Sequence, residues 1–379
     1  MISTWEIDKR RATLWSKQTK IFNIYILILL IIMVITNIVS LDPLYSIFSG
    51  LFVILLFGAM FHIVGSFISR ADQNLQYKKQ ITVHLLFILV VSLVGNLIIP
   101  HWNWDSTWRM SGGIGPTMMA LLSMFCFVWF MDLRIDRLFI KYSVVGVLLS
   151  VVILFWTMSR GRIISFLILI FYIAICYLIV MLNPKLKYTF NRKKSLFYSF
   201  STCFFILSLL VVVYYLADND QIISRLLTSI GERERAWEIL IEGFKSNIWL
   251  GSYGWWNANE VIKEYSFYDF SIANSSHNHY LRVLSEVGLL GLLAICILPA
   301  ALIILSLKKA LFKSNLEKTQ RKKLILYSGA LFSFFVSQLV EDQYLNGIGN
   351  FQTGLFAWLT ALTYYVLKKN DVDSNEKQT

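Results

Sequence analysis

The chain contains ten stretches of roughly 20 mostly apolar residues, the length of helix that crosses the hydrocarbon core of a bilayer. They cover about 21–41, 45–69, 81–100, 114–131, 141–158, 163–183, 196–216, 283–306, 324–340 and 351–367. Hydrophobic residues make up 56% of the chain and charged residues only 15%. The pattern predicts an all-α, polytopic transmembrane helix bundle and excludes a cytosolic enzyme or a secreted disulfide-rich domain.

Lysine and arginine are divided unequally between the two sides of the predicted bundle. Of the 35 cationic residues, 26 lie in the N-terminal segment, in the connections after every second span and in the C-terminal tail. Cations accumulate on the cytoplasmic side of a membrane, so both termini are predicted to be cytoplasmic. The net charge of +12 is therefore a topology signal that fits contact with anionic membrane lipids, and no nucleic-acid partner is expected.

These assignments divide the chain into three regions. Residues 1–216 hold the first seven spans, 217–282 form one large loop on the outer side, and 283–379 hold the remaining spans and a cytoplasmic tail. Within the loop, apolar residues recur at helical spacing over 236–248, at Trp237, Leu240, Ile241, Phe244 and Ile248. The spacing predicts a short amphipathic helix that lies against the membrane face or caps the bundle.

The cations on the outer side are the candidates for binding an anion. Arg160 and Arg162 lie between two apolar segments, and Arg233 and Arg235 lie early in the large loop. A guanidinium group binds phosphate with paired hydrogen bonds and stays charged at a membrane surface. The alternative is that these side chains reach lipid phosphates or pair with neighbouring glutamates.

Two histidines stand where the outer loop enters the next span, in the sequence His277-Asn278-His279-Tyr280. A zinc site is disfavoured because residues two apart on a helix point to different sides, and the sequence offers no clear third ligand. A neutral histidine acting as a general base is the better interpretation. Asp218-Asn219-Asp220 resembles a metal-binding DxD motif, but a solvated loop is favoured. No metal and no cofactor are expected, and the four cysteines are predicted to be small buried apolar residues.

The histidine region resembles a signature of the O-antigen ligase and polymerase superfamily. His277-Asn278 is followed after nine residues by Gly288 and after two more by Gly291, which is similar to H[NSQ]-x9-G-x-x-G. From the residues alone, the two glycines are spaced for close helix packing.

Three further segments resemble motifs of the same superfamily in the same order. Arg160 with Ile164 resembles its Arg-x3-Leu, 231–238 (GERERAWE) resembles its G-x-R-x3-[WY]-E, and 108–112 (WRMSG) resembles a weaker motif that contains Arg109. The arrangement at 231–238 is most similar to lipopolysaccharide O-antigen ligase. Many of these ligases have twelve spans, so twelve is the alternative to the ten counted here.

The resemblance implies a glycosyltransferase in the bacterial inner membrane with its active site on the periplasmic side. The implied donor is a glycan on undecaprenyl diphosphate, and the implied acceptor is the lipid A–core oligosaccharide. Arg160 and Arg233 are expected to stabilise the diphosphate, with Arg109, Arg162, Arg235, Asn278 and His279 as further substrate-binding candidates. His277 is expected to be the general base of an inverting, metal-independent reaction.

Two other functions stay open at this point. A polymerase of the same superfamily would use a second lipid-linked glycan as the acceptor. A transporter for the same lipid would be expected to place ionisable residues at mid-membrane depth, whereas the predicted arginines and His277 lie at one membrane face.

Overall fold

The computed structural model describes residues 19–98, 115–182, 220–269, 277–314, 316–339 and 351–376. All regular secondary structure in these residues is helical, which confirms the predicted all-α class. The helices are α1 Lys20–Asn37, α2 Pro43–Gln73, α3 Leu75–Ile98, α4 Pro116–Ile135, α5 Ile140–Trp156, α6 Arg160–Leu182, α7 Asp220–Ser246, α8 Ala258–Tyr268, α9 His279–Phe312, α10 Lys318–Ser337 and α11 Phe351–Glu376.

Six helices in the described part of the chain are long and apolar enough to cross a membrane, namely α1, α2, α3, α4, α6 and α9. Helix α5 is also apolar but shorter, with 17 residues. The chain is therefore a multi-pass membrane protein. Helices α10 and α11 coincide with the ninth and tenth predicted spans but are not among the six. The predicted span at 196–216 lies outside the described residues, so the count of ten stays a prediction.

Helices α1 to α3 expose large apolar side chains, as lipid-facing helices do. Leu44 and Phe48 at the start of α2 are 72% and 70% exposed, and Ile98 at the end of α3 is 71% exposed. Helix α4 differs, because most of its side chains are buried in protein. It is thus a central helix of its part of the molecule, surrounded by other helices.

The chain forms two compact units. The first contains Met1–His62, Phe204–Ala301 and Gln338–Ala357, and the second contains Ile63–Cys203, Leu302–Ser337 and Trp358–Thr379. In the second unit, α5 packs along α4, where Gly146 lies directly against the ring of Phe130. Helix α10 packs on α6, and Tyr172 donates a hydrogen bond to Ser328 Oγ over 2.9 Å.

A charged cluster joins the ends of three helices of the second unit. Lys78 Nζ on α3 lies 3.1 Å from Asp136 Oδ2, just beyond α4. Lys323 Nζ on α10 lies 2.7 Å from the same oxygen and 3.1 Å from Asp132 Oδ1. All four residues lie between the spans predicted from the sequence, in connections that the cation distribution assigns to one side of the membrane. The packing of the second unit is therefore consistent with the predicted grouping of its connections.

Helices α5 and α6 are separate, as the polar sequence between them predicts. Thr157 and Met158 end α5, and Met158 has a left-handed backbone with φ of 49°. Ser159 then begins α6, since its carbonyl oxygen accepts hydrogen bonds from the amides of Arg162 and Ile163. The break places Arg160 in the first turn of α6.

The predicted amphipathic helix at 236–248 is part of the longer helix α7, and the residues it buries differ from the predicted stripe. The fully buried face carries Ala236, Leu240 and Gly243, whereas Ile248 lies beyond the helix and is 49% exposed. Ala236 and Leu240 form a cluster with Ala258 and Ile262 of α8. Small residues on this face let the neighbouring segment approach closely, and large side chains such as Trp237 stay only half-buried.

Candidate active site

The histidine signature forms the beginning of α9 in the first unit. The Asn278 Oδ1 atom accepts a hydrogen bond from the amide of Leu281 over 3.2 Å, which satisfies one of the otherwise unpaired amides at a helix start. His277 precedes this cap with φ of 47° and is half-buried. A left-handed backbone costs a residue other than glycine of order 1–3 kcal/mol and is frequent at functional sites. His277 thus stands directly before the cap in a constrained backbone conformation.

His279 is in a different environment from His277. It is fully buried, and its amide donates to the carbonyl oxygen of Gln338 over 2.9 Å. Its Nδ1 atom lies 3.3 Å from a terminal nitrogen of Arg282. A guanidinium group can only donate, so Nδ1 must accept and carries no proton. The imidazole of His279 is therefore held inside the protein by its neighbours.

A buried ion pair follows on the same face of α9, and no sequence motif singled it out. Arg282 Nε lies 3.6 Å from Glu286 Oε2, and both side chains are fully buried. The Glu286 Oε1 atom also accepts a hydrogen bond from the amide of Ala258, the first residue of α8. Arg282 lies over the ring of Trp255, 5.8 Å from its centroid. The available signal was the spacing of His279, Arg282 and Glu286 at i, i+3 and i+7, which places three polar residues on one helix face.

Gly288 has another role than the helix packing that its spacing suggested. It is a kink within α9, with φ of 66° and ψ of −166°, a conformation that is essentially restricted to glycine. A Cβ atom there would overlap the backbone of Trp249, so its close neighbour is a loop. Gly291 instead lies against Val287 of its own helix.

The kink makes backbone groups of α9 available to the loop between α7 and α8. The amides of Leu289 and Leu290 donate to the carbonyl oxygens of Ile248 and Trp249. In the opposite direction, three consecutive loop amides donate to α9 carbonyl oxygens over 2.9 to 3.1 Å, namely Ser252 and Tyr253 to Ser285, and Gly254 to Glu286. A helix without a kink would use these groups internally.

The other side of this loop is held by the end of α1, the start of α2 and the connection between them. Asn37 Oδ1 accepts a hydrogen bond from the amide of Trp255 over 2.7 Å. Asn257 donates to Ser46 Oγ over 3.0 Å, and Gly254, with φ of 79°, leaves no room for a side chain beside Ser40. The loop from 247 to 257 is therefore fixed on both sides.

Arg233 and Arg235 lie on α7 in the same unit as the histidines. Arg233 is half-buried and makes no ion pair with any residue that the structure describes. Arg235 is more exposed and forms an ion pair of 2.9 Å with Asp269, just beyond α8. One turn after Arg233, α7 enters the apolar cluster against which Leu281 of α9 packs. The first unit thus brings the α7 arginines and the start of α9 onto neighbouring elements.

The remaining candidate arginines are elsewhere in the chain. Arg160 and Arg162 belong to the second unit, and the side chain of Arg160 is outside the described part. Arg162 is fully buried, donates to Ser337 Oγ over 3.1 Å and lies over the ring of Phe334. Arg109 lies outside the described residues.

The described residues contain no group of three or more histidine, cysteine or acidic side chains placed to hold a metal. Asp220 begins α7, and the first two residues of the DxD-like sequence are outside the described part. Cys126, Cys176 and Cys296 are free thiols within helices, and the first two are buried. His62 is a packing residue, with Nε2 2.7 Å from Asn23 Oδ1.

Comparison with known proteins identifies the segment that contains these features. No curated protein matches the chain significantly. A family model described as O-antigen ligase matches residues 145–296, which include most of α5, all of α6, the large loop and the first half of α9. The histidine signature, the kink and the arginines at 160, 162, 233 and 235 all lie within the match, in agreement with the resemblance in the motifs. Residues 145–296 are therefore similar to an O-antigen ligase domain, which supports the resemblance to the O-antigen ligase and polymerase superfamily.

Proposed function

We propose that this membrane protein is an O-antigen ligase. It transfers a glycan from undecaprenyl diphosphate to a hydroxyl group of the lipid A–core oligosaccharide at the periplasmic face of the bacterial inner membrane. The observation that carries the proposal is the fold of residues 277–291, where a strained, half-buried histidine, a helix cap and a kink occur together inside the matched segment. Such a combination is typical of a functional site and is unusual in an ordinary transmembrane helix.

In the proposed reaction the acceptor hydroxyl oxygen attacks the anomeric carbon of the donor glycan. His277 accepts the hydroxyl proton, and the bond between the anomeric carbon and the diphosphate oxygen breaks with its electrons on the diphosphate. Undecaprenyl diphosphate leaves, and the glycan inverts its configuration because no carboxylate nucleophile takes part.

The arginines are proposed to stabilise the charge that develops on the leaving diphosphate. Arg233 suits this role because it is half-buried and makes no ion pair with a described residue. Arg160, in the first turn of α6, is proposed for the same role, and Arg109 and Arg235 are proposed to bind the donor or acceptor more weakly. Positive charge from guanidinium groups makes a metal ion unnecessary, and apolar grooves between the spans are proposed to hold the polyprenyl chain.

The buried candidates are proposed to act through their neighbours. Asn278 caps the helix that directly follows His277, and Arg162 is held against Ser337 inside the second unit. Their contribution to substrate binding is then to orient Arg160 and His277. His279 is proposed to hold the first turn of α9 in place through Arg282 and the Gln338 carbonyl.

Purified protein in lipid vesicles, supplied with the lipid-linked glycan and EDTA, tests this function. One reaction contains lipid A–core, and the other contains only more lipid-linked glycan. We expect glycan to appear on lipid A–core, and the His277→Asn variant serves as the inactive control. Growth of the lipid-linked glycan with no product on lipid A–core would identify a polymerase and contradict the proposal.

A further inference from the structure

The buried pair of Arg282 and Glu286 has no part in the proposed chemical step. Both side chains are fully buried, in the first turns of a helix that is otherwise mostly apolar. Placing two charges in such surroundings is costly unless each is well paired, and an apolar pair of similar size is often as stable. Packing alone therefore does not account for the pair, because two apolar side chains would pack there without the free-energy cost of burying charge.

The contacts of Glu286 connect α9 to the C-terminal part of the fixed loop and to the first residue of α8. Its carboxylate accepts the amide of Ala258, and its backbone carbonyl accepts the amide of Gly254. A carboxylate at the first amides of a helix is favourable because the helix dipole is positive there. Glu286 is thus a hydrogen-bond acceptor for two separate points of the segment that leads from α7 into α8.

Arg282 connects the same carboxylate to the histidine region. Its guanidinium lies between Glu286 on one side and His279 Nδ1 on another, and its plane is near Trp255 of the loop. A guanidinium group has several donors in a fixed planar arrangement, so it can hold three neighbours in one geometry. The start of α9 and the loop are consequently oriented by one pair of charges.

We infer that Arg282 and Glu286 are positioning residues for the transfer reaction. They hold the α7–α8 loop against the kinked start of α9. In this way they keep Arg233 on α7 at a fixed separation from His277. This inference rests on the proposed function, since it assumes that Arg233 holds the donor diphosphate and His277 takes the proton. Misplacing reacting groups by about 1 Å can reduce a rate about a hundredfold, which explains why a costly pair is used here.

The decisive variant replaces both charges by apolar side chains, Arg282→Met with Glu286→Leu. It leaves no unpaired buried charge, so it is expected to fold. Its thermal midpoint is expected to fall only modestly, because the Ala258 amide and His279 Nδ1 lose their partners. Because the loop loses its carboxylate acceptor, we expect kcat for transfer to fall at least about tenfold with the donor KM nearly unchanged. Amide hydrogen exchange of residues 252–258 is expected to become faster.

A single variant, Glu286→Gln, keeps the shape and the Oε1 acceptor but removes the charge that holds Arg282. It is expected to lower kcat as well, and it decides the question if the double variant fails to fold. Its matched control is Glu260→Gln on α8, where Glu260 forms an exposed pair of 2.6 Å with Lys263. The control is expected to transfer and exchange like the wild type, because exposed pairs of this kind contribute little.

Wild-type kcat in the folded double variant would overturn the inference, and so would slow transfer with unchanged exchange at 252–258. The exchange measurement does not depend on activity. If the wild-type protein itself fails to transfer glycan to lipid A–core, the proposed function fails. Hydrogen exchange at 252–258 still tests whether Arg282 and Glu286 hold the loop against α9.

Discussion

At the scale of single residues, the two histidines of the signature lie in different environments. His277 is half-buried and stands before the helix cap, whereas His279 is fully buried and accepts a hydrogen bond from Arg282. Only the first therefore has the partial exposure that proton transfer from a substrate requires. That His277 is the base, as the signature spacing suggests, stays a prediction, which substitution of each histidine can test.

We predict that His277→Asn lowers kcat about a hundredfold or more, the scale of a lost general base, without lowering the thermal midpoint. Asparagine adopts a left-handed backbone readily, so the variant removes the imidazole and keeps the φ of 47°. The measurement is transfer to lipid A–core beside a thermal unfolding curve.

The matched substitutions are His279→Ala and His279→Gln. The alanine variant is expected to lower the thermal midpoint more than kcat, because it leaves a buried guanidinium N–H of Arg282 without this acceptor. Glutamine offers an oxygen in its place and should recover part of the stability. A severe loss of transfer in His279→Gln beside near-normal transfer in His277→Asn would reverse the roles of the two histidines.

At the scale of elements, the kink in α9 and the loop that packs against it form one structural feature. The backbone groups that Gly288 makes available pair with 248–254. A long apolar helix thereby acquires a site where an extramembrane segment binds through its main chain. Glycine is required at 288 both by the φ of 66° and by the Trp249 backbone, which occupies the space that a side chain would need.

We predict that Gly288→Ala destabilises the protein by of order 1–3 kcal/mol through backbone strain alone, with further loss from the contact at Trp249. Transfer is expected to fall as well, because the loop can no longer lie on α9. The control is Gly58→Ala in α2, where a Cβ would meet Ile26 at an ordinary 3.6 Å. A stable Gly288→Ala protein with normal transfer would contradict this role of the kink.

At the scale of the whole molecule, the side of the membrane on which each connection lies determines where the reaction takes place. The cation distribution predicts that the segment 217–282 is periplasmic and that the connection before α10 is cytoplasmic. The cluster of Lys78, Asp132, Asp136 and Lys323 is consistent with one common side for its three connections.

We predict that Lys263→Cys reacts with an impermeant thiol reagent in intact spheroplasts, and that Lys318→Cys reacts only after the membrane is permeabilised. Both positions are exposed, and both variants are made in a chain whose four native cysteines are replaced. Labelling of Lys318→Cys in intact spheroplasts would show that the predicted topology is wrong.

The sequence by itself determined the helical class, most of the described spans and the position of the histidine signature. These features depend on local composition and spacing, since any 20 apolar residues in lipid must satisfy their backbone groups within a helix. The break at Arg160 was also predictable, because two arginines and a glycine in four residues cannot lie comfortably in hydrocarbon. The family match at 145–296 agrees with the motifs for the same reason.

Only the tertiary structure decided which of these residues act together. The burial of Arg282 and Glu286 depends on Ala258 and Trp255, which are distant along the chain, and no local pattern contains that information. The buried face of α7 likewise depends on α8. Because α8 packs close to α7, small residues are buried there in place of most large residues of the predicted apolar stripe. Gly288 was recognisable as a motif residue, but its function as a kink became clear only from the loop that packs against it.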